Sequence, residues 1–166
     1  MTDFQSLLEA LTAGGVEFVV IGGFAATAHG SAHLTVDLDV VYRRSPENMS
    51  RLANALQPLA PYLRGAPPGL PFEFDVDTIT RGLNFTLTTS AGDVDLLGEA
   101  AGGGTYEALV ARSETRELFR LRVRFVDLPT LIQLKRAAGR PKDLERIAEL
   151  EAIMDERRAT SQREIR

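Results

Sequence analysis

The segment "LTVDLDVVY", residues 34–42, sets Asp37 and Asp39 inside a run of Val, Leu and Tyr that reads as a β-strand. A charge taken into an apolar setting costs free energy unless something pairs with it. Side chains two apart on a strand share a face, so the two acids stand side by side, their Cα atoms roughly 7 Å apart by the strand rise. Val36, Leu38 and Val40 take the other face and are expected to bury. One side of this strand therefore belongs to a core, and the other presents two parallel carboxylates that call for a cation.

The surrounding pattern supplies the frame. Phe4, Leu7, Leu8 and Leu11 fall at helical spacing, with Thr2 or Asp3 as N-cap and Gly14-Gly15 as the stop. "VEFVVI" (16–21) is a β-branched strand that runs into Gly22-Gly23, and the alanine-rich "FAATAHG" reads as a helix closing at Gly30. Pro46 opens a helix that ends by Pro58 or Pro61, and the Pro- and Gly-rich "LRGAPPGLP" (63–71) reads as a loop. "LNFTLTT", "SAG" and "DVDLLGE" form a predicted hairpin, and "AGGG" another loop. "FRLRVRFVDL" (119–128) alternates apolar residues with Arg, a half-exposed strand carrying Arg120, Arg122 and Arg124 on one face. Asp127 caps a helix over "LPTLIQLKRAA" that stops at Gly139. Pro141 opens a last helix with Leu144, Ile147, Ala148 and Leu150 or Met154 inward.

The fold class expected is α/β or α+β, a mixed β-sheet flanked by helices. A single domain over residues 1–156 is expected, with a core over 1–127, C-terminal helices over 128–156 and a flexible tail over 157–166. With 166 residues and 44% hydrophobic content the chain can build a core without staples. The absence of cysteine excludes disulfides and thiolate metal sites. The N-terminus lacks a basic stretch followed by an apolar run, and the longest apolar segment falls short of the ~18 residues of a membrane span, so a cytoplasmic protein with no membrane partner is expected. Charge is uneven. Residues 1–111 carry 5 basic and 13 acidic side chains (net −8), and residues 112–146 carry 10 basic and 5 acidic (net +5). An acidic front and a basic back suit a metal site beside a phosphate-contacting surface.

Two parallel carboxylates can hold Mg²⁺, a hard ion that takes oxygen ligands and shares them with substrate phosphates. A pair of such ions needs a third carboxylate from a neighbouring strand. Asp95, ahead of Leu96-Leu97 in the second hairpin strand, is the first choice. Asp93, beside the turn, ranks well behind. Asp75 and Asp77 flank a loop and read as caps or solvated residues, and His29 and His33 as surface or loop histidines. Upstream, the glycines where a strand meets a helix let a phosphate approach the backbone closely. A dinucleotide-binding fold is disfavoured, because the glycines do not follow G-x-G-x-x-G.

In this order, "IGGFAATAHGSAHLTVDLDVVY" resembles the signature of the nucleotidyltransferase superfamily related to DNA polymerase beta. "LNFTLTTSAGDVDLLG" and "LPTLIQLKRAAGRPKDLERIAEL" extend the likeness to small stand-alone members, the abortive-infection toxin-type enzymes among them. The resemblance implies a nucleotidyltransferase that moves a nucleoside monophosphate from ATP or another nucleoside triphosphate to a hydroxyl on RNA, a protein or a small molecule. It implies Gly22 and Gly23 at the triphosphate and Lys135 and Lys142 at phosphate, with Arg140 a further candidate. Asp37, Asp39 and Asp95 would hold two Mg²⁺ ions, with Asp95 also activating the acceptor. A toxin-type member would have an antitoxin partner. Two positions depart from the family pattern: Gly23 stands where many members have Ser, and His33, two positions before Thr35, where many small members have Arg. A non-catalytic binding module on the same fold is the alternative reading.

Overall fold

A computed structural model describes residues 1–166. The chain runs α1 (Phe4–Ala13), β1 (Phe18–Ile21), α2 (Gly22–Ala28), β2 (Asp37–Tyr42), α3 (Pro46–Leu56), a 3₁₀ turn, β3 (Tyr62–Leu63) and α4 (Val76–Arg81). It continues through β4 (Asn84–Thr89), β5 (Gly92–Leu97), β6 (Glu99–Ala100), β7 (Gly104–Thr105), α5 (Tyr106–Val110), β8 (Ser113–Leu118) and β9 (Leu121–Val126). The last two elements are α6 (Leu128–Ala138) and α7 (Pro141–Glu164). Seven strands form one mixed sheet in the order β3-β4-β5-β2-β1-β9-β8, and β6 and β7 make a separate ribbon.

Two parallel pairings sit near the middle of this sheet, β2 with β5 and β1 with β9, and the other neighbours are antiparallel. The register of the first sets Asp37 opposite Asp93, Leu38 opposite Val94 and Asp39 opposite Asp95. Alternation then sorts the two faces. Leu38, Val40, Val94, Leu96 and Leu87 are fully buried on one, and the acids line the other. Thr2 does not cap α1. Asp3 does, accepting from the Ser6 backbone N–H, while the Thr2 hydroxyl donates to the Val36 carbonyl and accepts from the Asp93 N–H at 3.2 Å. The N-terminus thus fastens both acid-bearing strands just ahead of the acids.

Several expectations are corrected. Val36 lies before β2 begins and is 74% exposed. The run over 119–128 is not one strand: Phe119 and Arg120 adopt positive φ (53° and 63°) in a two-residue turn between β8 and β9. That backbone matches strand twist, but it is usually signalled by Asn-Gly or a similar pair. Arg120 therefore sits in the turn, while Arg122 and Arg124 point outward along β9. The short helices α4 and α5 have too few residues to show a periodicity, and β8, SETREL, has a single apolar residue in six. On α7, Ile147 and Leu150 pack inward as expected, but Leu144 is 66% exposed and Ala148 also faces out. α7 runs to Glu164, and its last turns, over the segment expected to be a flexible tail, are exposed. His29 is not a surface residue. It is buried, donates through Nε2 to the Val126 carbonyl (2.7 Å), and accepts at Nδ1 from Arg116 and Arg157 (3.2 Å each). Burial above all holds its pKa below the ordinary imidazole value. Through Arg157 this histidine pins α7 to the end of α2.

The two central antiparallel strands are tied to α3 by one amide. Asn48, fully buried, accepts from Glu17 N–H (2.7 Å) and donates to the Glu17 and Arg43 carbonyls (3.0 and 2.8 Å). Asn48→Ala removes the partner of the Glu17 N–H and the Arg43 carbonyl and leaves the Glu17 carbonyl only the Arg43 N–H (3.1 Å), and an unpaired buried polar group costs about 1–3 kcal/mol. Urea denaturation of Asn48→Ala is expected to show a loss of about 3 kcal/mol with an unchanged m-value.

Candidate active site

The register of β2 and β5 decides where the carboxylates go. Asp37 and Asp39 come from one strand and Asp95 from its parallel neighbour, and one oxygen from each lies within 4.8 Å of the others. Asp93, directly across from Asp37, adds a fourth acid to the same face. Asp75 is a cap: its side chain accepts from the Thr78 N–H at 2.8 Å, at the start of α4, and Asp77 is exposed.

Of these acids Asp39 and Asp95 line a cavity of ≈ 250 Å³, together with Gly22, Lys135, Arg140 and Asp143. Ile21, Leu97, Leu131 and Leu134 supply apolar wall. Gly22, the first residue of α2, has φ +68°, and a Cβ there would fall 2.0 Å from Asp39 Oδ2. Only glycine lets the backbone pass so close to that carboxylate. Gly23 does not line the cavity. A Cβ on it would meet Thr35 Oγ1 at 2.7 Å and Thr35 Cβ at 2.8 Å, which is the physical reason no side chain stands there.

Lys135, on α6, is 6% exposed and projects into the cavity wall, and burial first, then neighbouring guanidinium groups, pulls its pKa down. Lys142 is exposed and lies outside the lining. Arg140, two residues earlier at the N-cap of α7, takes the place at the cavity. Its Nε donates to Asp143 Oδ2 at 2.8 Å, and the same carboxylate accepts from the Arg140 backbone N–H. Burial alone would raise Asp143, but these bonds and the Arg140 charge outweigh it, so the acid stays ionised below its ordinary pKa. His33 sits away from the acids and pairs with Glu149 on α7 (3.1 Å).

One site residue had no sequence signal strong enough to pick it out. Arg64, just past β3 in the segment read as a loop, lays its guanidinium over the acid face. Its contacts are 3.6 Å to Asp37, 3.4 Å to Asp93 and 2.9 Å to Asp95. The Asp95 contact is misaligned for a hydrogen bond, so it is charge pairing alone. Asp95 Oδ1 and Arg64 Nε both remain buried without a hydrogen-bond partner. The only available hint was that Arg64 is the sole basic residue between Arg51 and Arg81.

Electrostatics single out Asp39. Burial, then the charges of Asp37 and Asp95 and a hydrogen bond to Asp95, push its carboxyl up to about 8, while the Lys135 ammonium opposes this weakly. Carboxylates crowded in this way keep a proton unless a cation arrives. Together with the unpartnered Asp95 oxygen, that makes Asp37, Asp39 and Asp95 a donor set that fits a hard divalent ion. The ligands are all oxygen, preplaced, and short of positive charge.

The site is thus a mixed sheet with acids on two adjacent parallel strands, at the mouth of a cavity edged by a strand-to-helix glycine. The structure is similar to that of a candidate nucleotidyltransferase from Thermotoga maritima, with a TM-score of 0.56 and 15% identity over 92% of this chain and 90% of that one. It is also similar to the solution structure of the antibiotic-resistance factor ANT(2'')-Ia, with a TM-score of 0.51 and 14% identity over 96% and 92%. No family model and no curated protein matches the sequence. At these identities the likeness establishes the architecture, and what the site does is argued from its residues. No helix is long and apolar enough to cross a membrane.

The Asp39 shift has a testable consequence. The unfolded chain loses the Asp39 proton near pH 4, whereas the folded, metal-free chain keeps it to about pH 8. Between those limits the folded state binds more protons, so stability falls as pH rises. In chelator, the thermal midpoint of the native protein is expected to drop between pH 5 and pH 8 more steeply than that of Asp39→Asn.

Proposed function

We propose that the chain is a Mg²⁺-dependent nucleotidyltransferase. In this reading it moves a nucleoside monophosphate from a nucleoside triphosphate such as ATP to a hydroxyl acceptor and releases pyrophosphate. The observation that carries the reading is the convergence of Asp37, Asp39 and Asp95 within 4.8 Å, at a cavity that also presents Gly22 and Lys135.

Asp37, Asp39 and Asp95 would hold the metal, as two ions. Bound there, it would neutralise phosphate charge and supply the electrostatic stabilisation on which phosphoryl transfer depends. Gly22 leaves backbone bare for close approach of a phosphate oxygen. Lys135, held in the wall of the cavity, offers its ammonium to the triphosphate, and Arg140 offers a second cation. Gly23, packed on Thr35, contributes backbone only, and Lys142 would reach phosphate only from outside the cavity. In this reading Asp95 would accept the proton of the acceptor hydroxyl as its oxygen attacks the α-phosphorus and the bond to pyrophosphate breaks. The apolar wall carries no aromatic residue on which a base could stack.

The acceptor class stays open among RNA ends, protein hydroxyls and small molecules. A toxin role with an antitoxin partner follows from the family resemblance alone, and a cytoplasmic location from the sequence pattern alone. The non-catalytic alternative has one structural support, since His33 is engaged by Glu149 and does not serve the acid site.

The test is transfer of label from each α-labelled nucleoside triphosphate to bulk RNA and a panel of hydroxyl acceptors in Mg²⁺. Asp37→Ala and Asp39→Ala are each expected to reduce transfer at least ~10³-fold, because electrostatic stabilisation of this kind supplies several kcal/mol. Persistence of labelling in both variants would remove the assigned site.

A further inference from the structure

We propose that Arg64 is an internal counter-ion that competes with a divalent cation for Asp37 and Asp95, so that metal loading requires its guanidinium to withdraw. The inference rests on the metal-site reading above.

Arg64 contacts Asp37 Oδ2 at 3.6 Å and Asp95 Oδ1 at 2.9 Å, two of the three carboxylates that converge within 4.8 Å. A Mg²⁺ ion bound through the same groups takes oxygens at about 2.0–2.1 Å. Two cations held by the same carboxylates at such distances repel each other, so each occupancy weakens the other.

The seat of the guanidinium is also an imperfect one. Nη2 spends its aligned hydrogen bond on the Leu87 carbonyl (2.8 Å), on the neighbouring strand, and none on a carboxylate. Nε and Asp95 Oδ1 remain without hydrogen-bond partners. Leaving this seat gives up charge pairing, but no carboxylate hydrogen bond. The backbone at Arg64 is tied to the sheet by its N–H to the Thr86 carbonyl (3.1 Å), so the side chain pivots on a fixed base. The loop that follows is held at Pro67 and Leu70 by the Tyr62 hydroxyl and is open at Gly65 and Gly69, where even an added Cβ would have no neighbour within 4 Å. Asp93, 3.4 Å from Nε, gives the displaced guanidinium an acidic partner outside the three-carboxylate cluster.

Titration calorimetry with Mn²⁺ alone, on the full chain, tests this without any turnover. Arg64→Gln keeps a polar side chain and removes the charge, and it is expected to bind Mn²⁺ about tenfold more tightly than the native protein. Arg64→Lys keeps the charge without the planar fork and is expected to lie between the two. Equal or weaker Mn²⁺ binding by Arg64→Gln overturns the competition. So does an Arg64→Lys affinity equal to that of Arg64→Gln, because the gain would then come from loosening and not from charge. If Asp39→Asn abolishes binding while the native protein and Arg64→Gln bind equally, only the role of Arg64 is lost. If neither the native protein nor Arg64→Gln binds Mn²⁺, the metal site is overturned and the competition falls with it.

Discussion

Mutual repulsion among the carboxylates on one face of β2 and β5 is the constraint around which this molecule is arranged. Two like charges about 4 Å apart repel by ~4 kcal/mol at an effective dielectric of ~20, several times the net worth of an ordinary hydrogen bond. The fold meets that repulsion from three sides. Arg64 lies across the outer acids, Lys135 approaches from the cavity, and Asp39 holds a proton. The strain is accepted because the parallel register and the buried Leu38, Val40, Val94 and Leu96 beneath leave the acids nowhere else to turn. A rigid apolar underside makes the polar face a preorganised site.

What could be read from the sequence was whatever is encoded locally. The acid pair in an alternating strand announced β2 and its functional face. Asp127, Pro129 and Gly139 bracketed α6 because each acts on its own few residues. Asp95 could be ranked first because it shares the pattern of Asp39, an acid followed by apolar residues within a strand. The rest depends on long-range geometry. Arg64 reaches the acids from β3 across β4, and nothing in "LRGAPPGLP" encodes that reach. His29 is buried only because Val126 and Arg157, far away in sequence, close over it. Asp93 looked like a turn residue, and only the pairing of Asp37 with Asp93 shows that it belongs to the acid face. Leu144 misled for the opposite reason: helical periodicity identifies an apolar stripe but not where the helix leaves its neighbours.

The C-terminal helices do more than cover the sheet. α6 brings Lys135, and the junction with α7 brings Arg140 locked to Asp143, so the cationic wall of the cavity comes from the basic back of the chain. The acidic wall comes from the front. Part of the charge asymmetry visible in the sequence thus meets at the cavity, where Lys135 and Arg140 face Asp39 and Asp95.

Gly23 carries one more consequence. With Thr35 pressed against it, that position cannot gain a side chain unless the segment leading into Asp37 moves outward. Residues 23 and 35 therefore form an epistatic pair. A lineage acquiring a hydroxyl at the first must already have loosened the second, and the order of those two steps decides whether the intermediate keeps its acids aligned.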